Sequence, residues 1–205
     1  MLDLLRRLGV FAAPGFLDRN TCREIGAEMT AAAGEPGIVL KNRVETVDLD
    51  AKRLHRTGLA EARGALVDGR LAAIIPALNR HFGSAVAQSE GAIFYRCGVG
   101  DFFATHRDLD RATGHDAADH ERRVSIVLFL NDHTDAAGVS YEGGDLVMYD
   151  LMDGAGADRG IAVPPEAGLL IAFLSSLRHE VTPDVGRALR RRRSVFLISL
   201  SRSDR

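Results

Sequence analysis

Apolar positions follow two different spacings along the chain. In the first half they recur at helical intervals. Val67, Leu71, Ile74, Ile75, Leu78 and Phe82 share one face of a predicted helix over 66–82. Pro76 lies inside that helix and is expected to kink or split it. Thr21 followed by Glu24 has the form of a capping box, which predicts a helix from there to about Ala33, ended by the Gly34–Gly37 stretch. Residues 38–47 are rich in β-branched side chains and predict a strand or two.

From residue 91 the spacing shortens to alternation. Strands are predicted at 91–96, 102–107, 124–130, 144–149, 169–174 and 194–200, separated by Gly, Pro and Asp turns. In 124–130, one side carries Val124, Ile126, Leu128 and Leu130, and the other Ser125, Val127 and Phe129. Both sets are mostly apolar, as in a strand buried on both faces. Regular short strands of this kind build a sandwich or barrel. The expected class is α+β, mainly β, with helices packed outside a β core. One domain over 1–205 is expected, with 1–90 as helical and β support and 91–205 as the core. Two long loops, 109–123 and 149–162, fit a lid or substrate contact. The first carries His115, Asp116, Asp119 and His120.

Composition narrows the function classes. Hydrophobic residues make up 46% of the chain, which is incompatible with general disorder. A net charge of -2 argues against a general nucleic-acid or membrane-surface binder. Cys22 and Cys97 are too far apart for a CxxC site and too few for a disulfide framework, so both read as reduced thiols. Residues 1–10 carry Asp3, Arg6 and Arg7 and do not read as a signal peptide. No run reaches the roughly 20 apolar residues of a membrane span. A soluble, cytoplasmic protein is expected, with no nucleic-acid or membrane partner; the oligomeric state is left open.

The most informative segment is Gly100-Asp101-Phe102-Phe103-Ala104-Thr105-His106-Arg107-Asp108. Residues two apart on a strand project from one face, so an extended segment aims His106 and Asp108 at one point. A third ligand must come from elsewhere, and His179 follows the apolar strand at 169–174. Two imidazoles and one carboxylate form the facial triad of non-haem Fe(II) oxygenases, with positions left open for a chelating cosubstrate and dioxygen. An isolated His-x-Asp is also what a surface ion pair looks like, so the surroundings decide. Phe102, Phe103 and Val127 are candidate apolar walls. His55, His81 and His133 read as surface or capping residues, and His115 and His120 as parts of a solvated loop.

A 2-oxo acid chelating the iron needs a cation for its far carboxylate. Arginine suits this because its planar fork pairs bidentately with a carboxylate. The run Arg190-Arg191-Arg192-Arg193-Ser194 leads into an apolar strand, and Arg192 and Ser194 share a face. Arg192 with Ser194 is the first candidate and Arg190 the second; Arg191 and Arg193 read as solvated. Tyr95 can offer its hydroxyl to the same cosubstrate or serve as a core or rim residue.

These pieces together resemble the prolyl 4-hydroxylase-like branch of the 2-oxoglutarate/Fe(II) dioxygenases. Val10 to Cys22, with Pro14-Gly15-Phe16-Leu17-Asp18, is similar to the N-terminal lead-in of that branch. Tyr95 to Asp108 resembles its Tyr…Gly-Asp-Phe-Phe…His-x-Asp segment, and Arg123 to Asn131 its strand ending Phe-Leu-Asn. Glu142-Gly143-Gly144-Asp145-Leu146 resembles its Gly-Gly-acidic turn, and Pro164 to Pro183 its Pro…Gly…Phe…His-Glu-Val-x-Pro stretch. Two departures stand out. Residues 184–191 look like a small insertion, which leaves Arg187, Arg190 and Arg192 open as the anchor. The spacing from Tyr95 to His106 is slightly long.

The resemblance implies a double-stranded β-helix, or jelly-roll, core flanked by N-terminal helices. It implies His106, Asp108 and His179 as iron ligands, and an Arg after His179 as the 2-oxoglutarate anchor. Fe(II), 2-oxoglutarate and O2 are the expected cofactors, with ascorbate as a possible reductant. The expected reaction is hydroxylation of an unactivated C–H bond with release of succinate and CO2. The substrate is a small molecule or a peptidyl residue, prolyl among them. The competing readings are a cupin-type metal enzyme without 2-oxoglutarate and a non-catalytic jelly-roll binding module.

Overall fold

A computed structural model describes residues 1–41, 44–108, 122–133, 143–152, 159–183 and 195–203. Helix α1 spans Leu2–Arg7, and strand β1, Phe11–Ala13, follows it. Helix α2 is Arg19–Ala31. Its cap is Asp18, whose carboxylate accepts the N–H groups of Asn20 and Thr21, three residues ahead of the expected Thr21 cap. Thr21 instead donates its hydroxyl to Asp18, and Glu24 pairs with Arg63, so the reciprocal box does not form. An Asp at the N-cap satisfies the same orphan donors.

Beyond α2 come β2 (Gly34–Pro36), β3 (Val39–Lys41), β4 (Val44–Thr46) and β5 (His55–Thr57). Strand β2 occupies what was expected to be only a helix terminator, and the stretch 38–47 is the β3–β4 hairpin. Helix α3 runs Glu61–Phe82, five residues earlier than the spacing predicts, and Pro76 does not divide it. It ends at Gly83 in the left-handed region.

The remaining strands are β6 (Val86–Ser89), β7 (Ile93–Arg96), β8 (Phe103–His106), β9 (Arg122–Phe129), β10 (Leu146–Met148), β11 (Ile161–Val163), β12 (Leu170–Leu174), β13 (His179–Val181) and β14 (Val195–Ser203). All six predicted strands of this half are present. The alternation missed β6, β11 and β13, which have three or four residues each and hold too few positions to show a period.

The major sheet has eight strands in the order β1-β12-β9-β14-β7-β5-β2, with β6 beside β14. The minor sheet is β11-β10-β13-β8, and every pairing is antiparallel. One face of the major sheet packs Ile126, Leu128 and Leu170 against Cys22, Ile25 and Met29 of α2 and Val67, Leu71 and Leu78 of α3. Its other face packs Tyr95, Val127, Phe129 and Phe173 against Leu146, Met148 and Val181 of the minor sheet. The layers are therefore helices, major sheet, minor sheet, as the jelly-roll expectation requires. Cys22 and Cys97 are both buried, and neither is in a disulfide among the described residues.

Two contacts tie the helical layer to the core. The buried Arg96 donates to the carbonyls of Met29, Thr30 and Ala32, satisfying the C-terminal end of α2. Gly168, at φ 83, receives the Pro14-to-Asp18 segment so closely that a Cβ would lie 2.1 Å from the Leu17 carbonyl oxygen. Only glycine suits that position.

Candidate active site

The minor sheet brings the distant ligands together. Strands β8 and β13 pair so that His106 and His179 are direct cross-strand partners. Asp108 lies just past the end of β8 and turns back toward both rings. Its Oδ1 is 3.3 Å from His106 Nε2 and its Oδ2 is 3.6 Å from His179 Nε2. One ligand atom from each residue lies within 4.8 Å of the other two. The sequence expectation that three side chains from two remote segments meet is thus realised.

The tautomers are set by the backbone. His106 Nδ1 is 2.9 Å from the Ala104 carbonyl oxygen and His179 Nδ1 is 3.0 Å from that of Leu177. A carbonyl only accepts, so each Nδ1 carries the proton and each Nε2 presents a lone pair. His106 Nε2 is buried and, among the described residues, has no hydrogen-bond partner. A buried nitrogen with a free lone pair, beside a second one and a carboxylate, is the donor set a divalent iron takes. The residues fit the metal.

Electrostatics point the same way. Burial pushes Asp108 toward the neutral form, but the two imidazoles and the Ser125 hydrogen bond outweigh it and hold the carboxyl well below its usual range. Burial lowers His179 to about 4 against the opposing pull of Asp108. Asp108 is thus anionic and His179 neutral near pH 7, so neither has to lose a proton to bind a cation. Phe103 stacks on His106 with centroids 3.6 Å apart, and Phe173 meets His179 edge-on at 4.7 Å. Phe103 and Val127 stand on the inner side as expected, whereas Phe102 carries the Arg53 guanidinium on its ring and is no wall of this site.

Three supporting features were not foreseen. Ser125 donates to Asp108 Oδ2 at 2.5 Å and lies 3.0 Å from Ser175 Oγ, both serines being fully buried. Ser125 has one proton, which Asp108 receives, so Ser175 donates to Ser125. The available signal was a hydroxyl on the otherwise apolar inward side of β9. Asp150 accepts from Arg107 at 2.8 Å and from Arg178 at 3.3 Å, joining the neighbours of His106 and His179. Lys52 lies buried between aromatic rings next to the site.

Tyr95 is buried on the same inner face, and burial raises its phenol. Arg187, Arg190, Arg192 and Ser194 lie outside the described residues, as do His115, His120 and most of the expected lid (109–121). Arg122 and Arg123, its last two residues, begin β9 instead. Of the 149–162 loop, 153–158 lie outside the description, and its last two residues begin β11. His81 abuts Phe11 edge-on and approaches the Gly9 carbonyl, a structural role, while His55 lies 3.7 Å from Asp101. Neither joins the triad.

A jelly-roll with this triad defines the class of Fe(II)-dependent oxygenases that keep open coordination positions for a cosubstrate. The model of the 2OG-Fe(II) oxygenase superfamily matches residues 92–198, and the chain belongs to that superfamily. It is a 2-oxoglutarate-dependent dioxygenase working with Fe(II) and O2.

Solved structures of similar fold include a prolyl-4-hydroxylase from Pseudomonas putida, at TM-score 0.70, 24% identity, and coverage of 99% of this chain and 97% of that one. A prolyl hydroxylase from Trichoplax adhaerens, in complex with a hypoxia inducible factor peptide fragment, matches at TM-score 0.66, 16% identity, and coverage of 99% and 87%. A viral collagen prolyl hydroxylase from Paramecium Bursaria Chlorella virus-1, in complex with 2OG, matches at TM-score 0.61, 16% identity, and coverage of 95% and 96%. No curated protein sequence matches the chain. Among the described residues, no helix is long and apolar enough to cross a membrane.

Proposed function

We propose that the chain hydroxylates an unactivated C–H bond of an amino-acid side chain, with proline as the first candidate. His106, Asp108 and His179 hold the iron, and Tyr95, Arg192 and Ser194 bind 2-oxoglutarate. The observation that carries the reading is the convergence of three ligand atoms within 4.8 Å on the paired strands of a superfamily member. Three prolyl hydroxylases that match almost the whole chain support the choice of substrate class.

When bound, Fe(II) and 2-oxoglutarate would activate O2, which is the oxidant: one of its oxygen atoms goes to the substrate C–H bond and the other to succinate as 2-oxoglutarate loses CO2. The protein's own residues aim and confine that chemistry. The Ala104 and Leu177 carbonyls hold the imidazole planes. Ser125 holds one carboxylate oxygen of Asp108. Phe103 and Phe173 exclude water from the rings. In this reading the hydroxyl of Tyr95, a residue of the inner face, donates to a cosubstrate oxygen.

The test is a succinate-release screen with Fe(II) and 2-oxoglutarate against prolyl peptides, free amino acids and small metabolites, with His179→Ala as control. Stimulation by a prolyl peptide and a matching mass gain of one oxygen are expected. Stimulation only by compounds without an amino-acid unit would refute the substrate class.

A further inference from the structure

The chain carries 26 Lys and Arg residues, and only Lys41 and Lys52 are lysines. Lys52 is 4% exposed, and the chain is arranged to house it. The backbone around it is pinned alongside β8: Lys52 bridges to Phe103, Arg53 N donates to the Phe102 carbonyl, and Ala104 N donates to that of Ala51. Its stem runs across Gly37, where an added Cβ would lie 3.1 Å from Lys52 Cε and 3.0 Å from the Leu54 carbonyl oxygen. A side chain at residue 37 would therefore have to displace either backbone or the lysine stem.

Among the described residues the ammonium is poorly partnered for its burial. Nζ stands 3.9 Å from the Tyr95 ring centroid and 4.4 Å from that of Phe103. Among the described residues its one hydrogen bond is to the Ile38 carbonyl oxygen at 3.4 Å, for three donors. Aromatic faces attract a cation but do not satisfy its N–H groups. The location is next to the metal site, because Phe103 is the ring stacked on His106 and the charge of Asp108 acts on Lys52. Arg56, the cross-strand partner of Tyr95, adds a second positive charge that acts on both Lys52 and Tyr95.

We propose that Lys52 is a carboxylate-binding residue of the iron pocket, its ammonium receiving a carboxylate of the small molecule held there. Lysine suits this place because it is a compact point charge on a slender stem, which the gap over Gly37 admits. The carboxylate comes either from 2-oxoglutarate or from an acidic substrate. The inference rests on His106, Asp108 and His179 being the metal ligands.

The test uses the Mn(II)-loaded wild type and Lys52→Met, which keeps the stem and removes the charge. In the first arm, 2-oxoglutarate is titrated calorimetrically. In the second, with 2-oxoglutarate saturating, N-acetyl-L-proline and N-acetyl-L-prolinamide are compared. A charged hydrogen bond predicts a loss of about tenfold or more in one arm. Loss in the first identifies the cosubstrate, and loss in the second, confined to the acid, identifies the substrate. Equal behaviour of both proteins in both arms overturns the proposal.

A measurement without any variant guards against misfolding. An amine-acylating reagent is applied to the wild type, and the two lysines are compared by peptide mass. Slower labelling of Lys52 alone when 2-oxoglutarate or the acid binds supports the assignment, and unchanged labelling with both ligands counts against it. If the wild type with Mn(II) does not bind 2-oxoglutarate at all, the metal-site reading itself fails, which is a different result.

Discussion

The two faces of the major sheet are built from alternate residues of the same strands, yet they serve different ends. On β9, Ile126 and Leu128 point at α2 and α3, among the apolar side chains of Cys22, Ile25, Met29, Val67, Leu71 and Leu78. Ser125, Val127 and Phe129 point the other way, and at the Ser125 end the apolar surface gives way to Asp108, Ser175 and His179. The period of two lets one strand carry packing on one side and chemistry on the other. Stability and metal binding should therefore separate by face.

The largest break in that comparison is at the ligands. His179→Ala or Asp108→Ala should abolish metal binding and succinate production while leaving the melting temperature within a few degrees of wild type. Metal titration with circular dichroism checks this, and a variant that still turns over would remove the residue from the triad. On the opposite face, Leu128→Ala should cost about 2–5 kcal/mol in denaturant unfolding, because a fully buried side chain leaves a cavity. Its metal affinity should stay at the wild-type value at temperatures where it is folded. A loss of both properties together would show that the faces are coupled.

Legibility in the sequence followed the same division. The helix-facing side was readable because long elements repeat their pattern: 124–130 alternates over seven positions, and α3 shows its stripe at Val67, Leu71 and Leu78. The ligands were readable because His106 and Asp108 sit two apart on an extended segment. What escaped were short elements and tertiary partners. Strand β13 has three residues, so nothing local announces that His179 faces His106. The α2 cap was misassigned because Asp18 and Thr21 both make good caps, and the docking of Leu17 under Gly168 belongs to the tertiary fold. Lys52 escaped because a Lys in a polar stretch reads as solvated until the fold lays Tyr95 and Phe103 against it.

Ser125 sharpens the comparison, since it belongs to the packed strand but touches the ligand. Ser125→Ala removes one hydroxyl and leaves Asp108 Oδ2 without its donor. Loss of a partner that orients a metal ligand costs about 10–100-fold in metal affinity. Stability should change little by comparison with Leu128→Ala. Ser175→Ala should have a smaller effect in the same direction, because Ser175 reaches Asp108 only through Ser125. Equal metal affinities for wild type and Ser125→Ala would reduce the serine pair to packing.

The most gradual expected effect is a dependence on pH at the edge of the inner face. Burial lowers Lys52 from 10.5 to about 8, with the charge of Asp108 opposing. Between those values the unfolded chain still holds the proton that the folded chain has released, so stability rises with pH across the window. Above 10.5 neither state carries the charge and the cost of burying it is gone; below 8 the folded protein bears that cost in full. The slope from one such group is at most about 1.4 kcal/mol per pH unit. Lys52→Met has no ammonium to bury, so its stability advantage over wild type should be greatest below pH 8 and shrink as pH rises toward 10.5. Denaturant unfolding of the two proteins at several pH values measures the difference. A constant gap across the window would mean that Lys52 keeps its ordinary affinity for protons, and that the aromatic rings and the Ile38 carbonyl fully offset its burial.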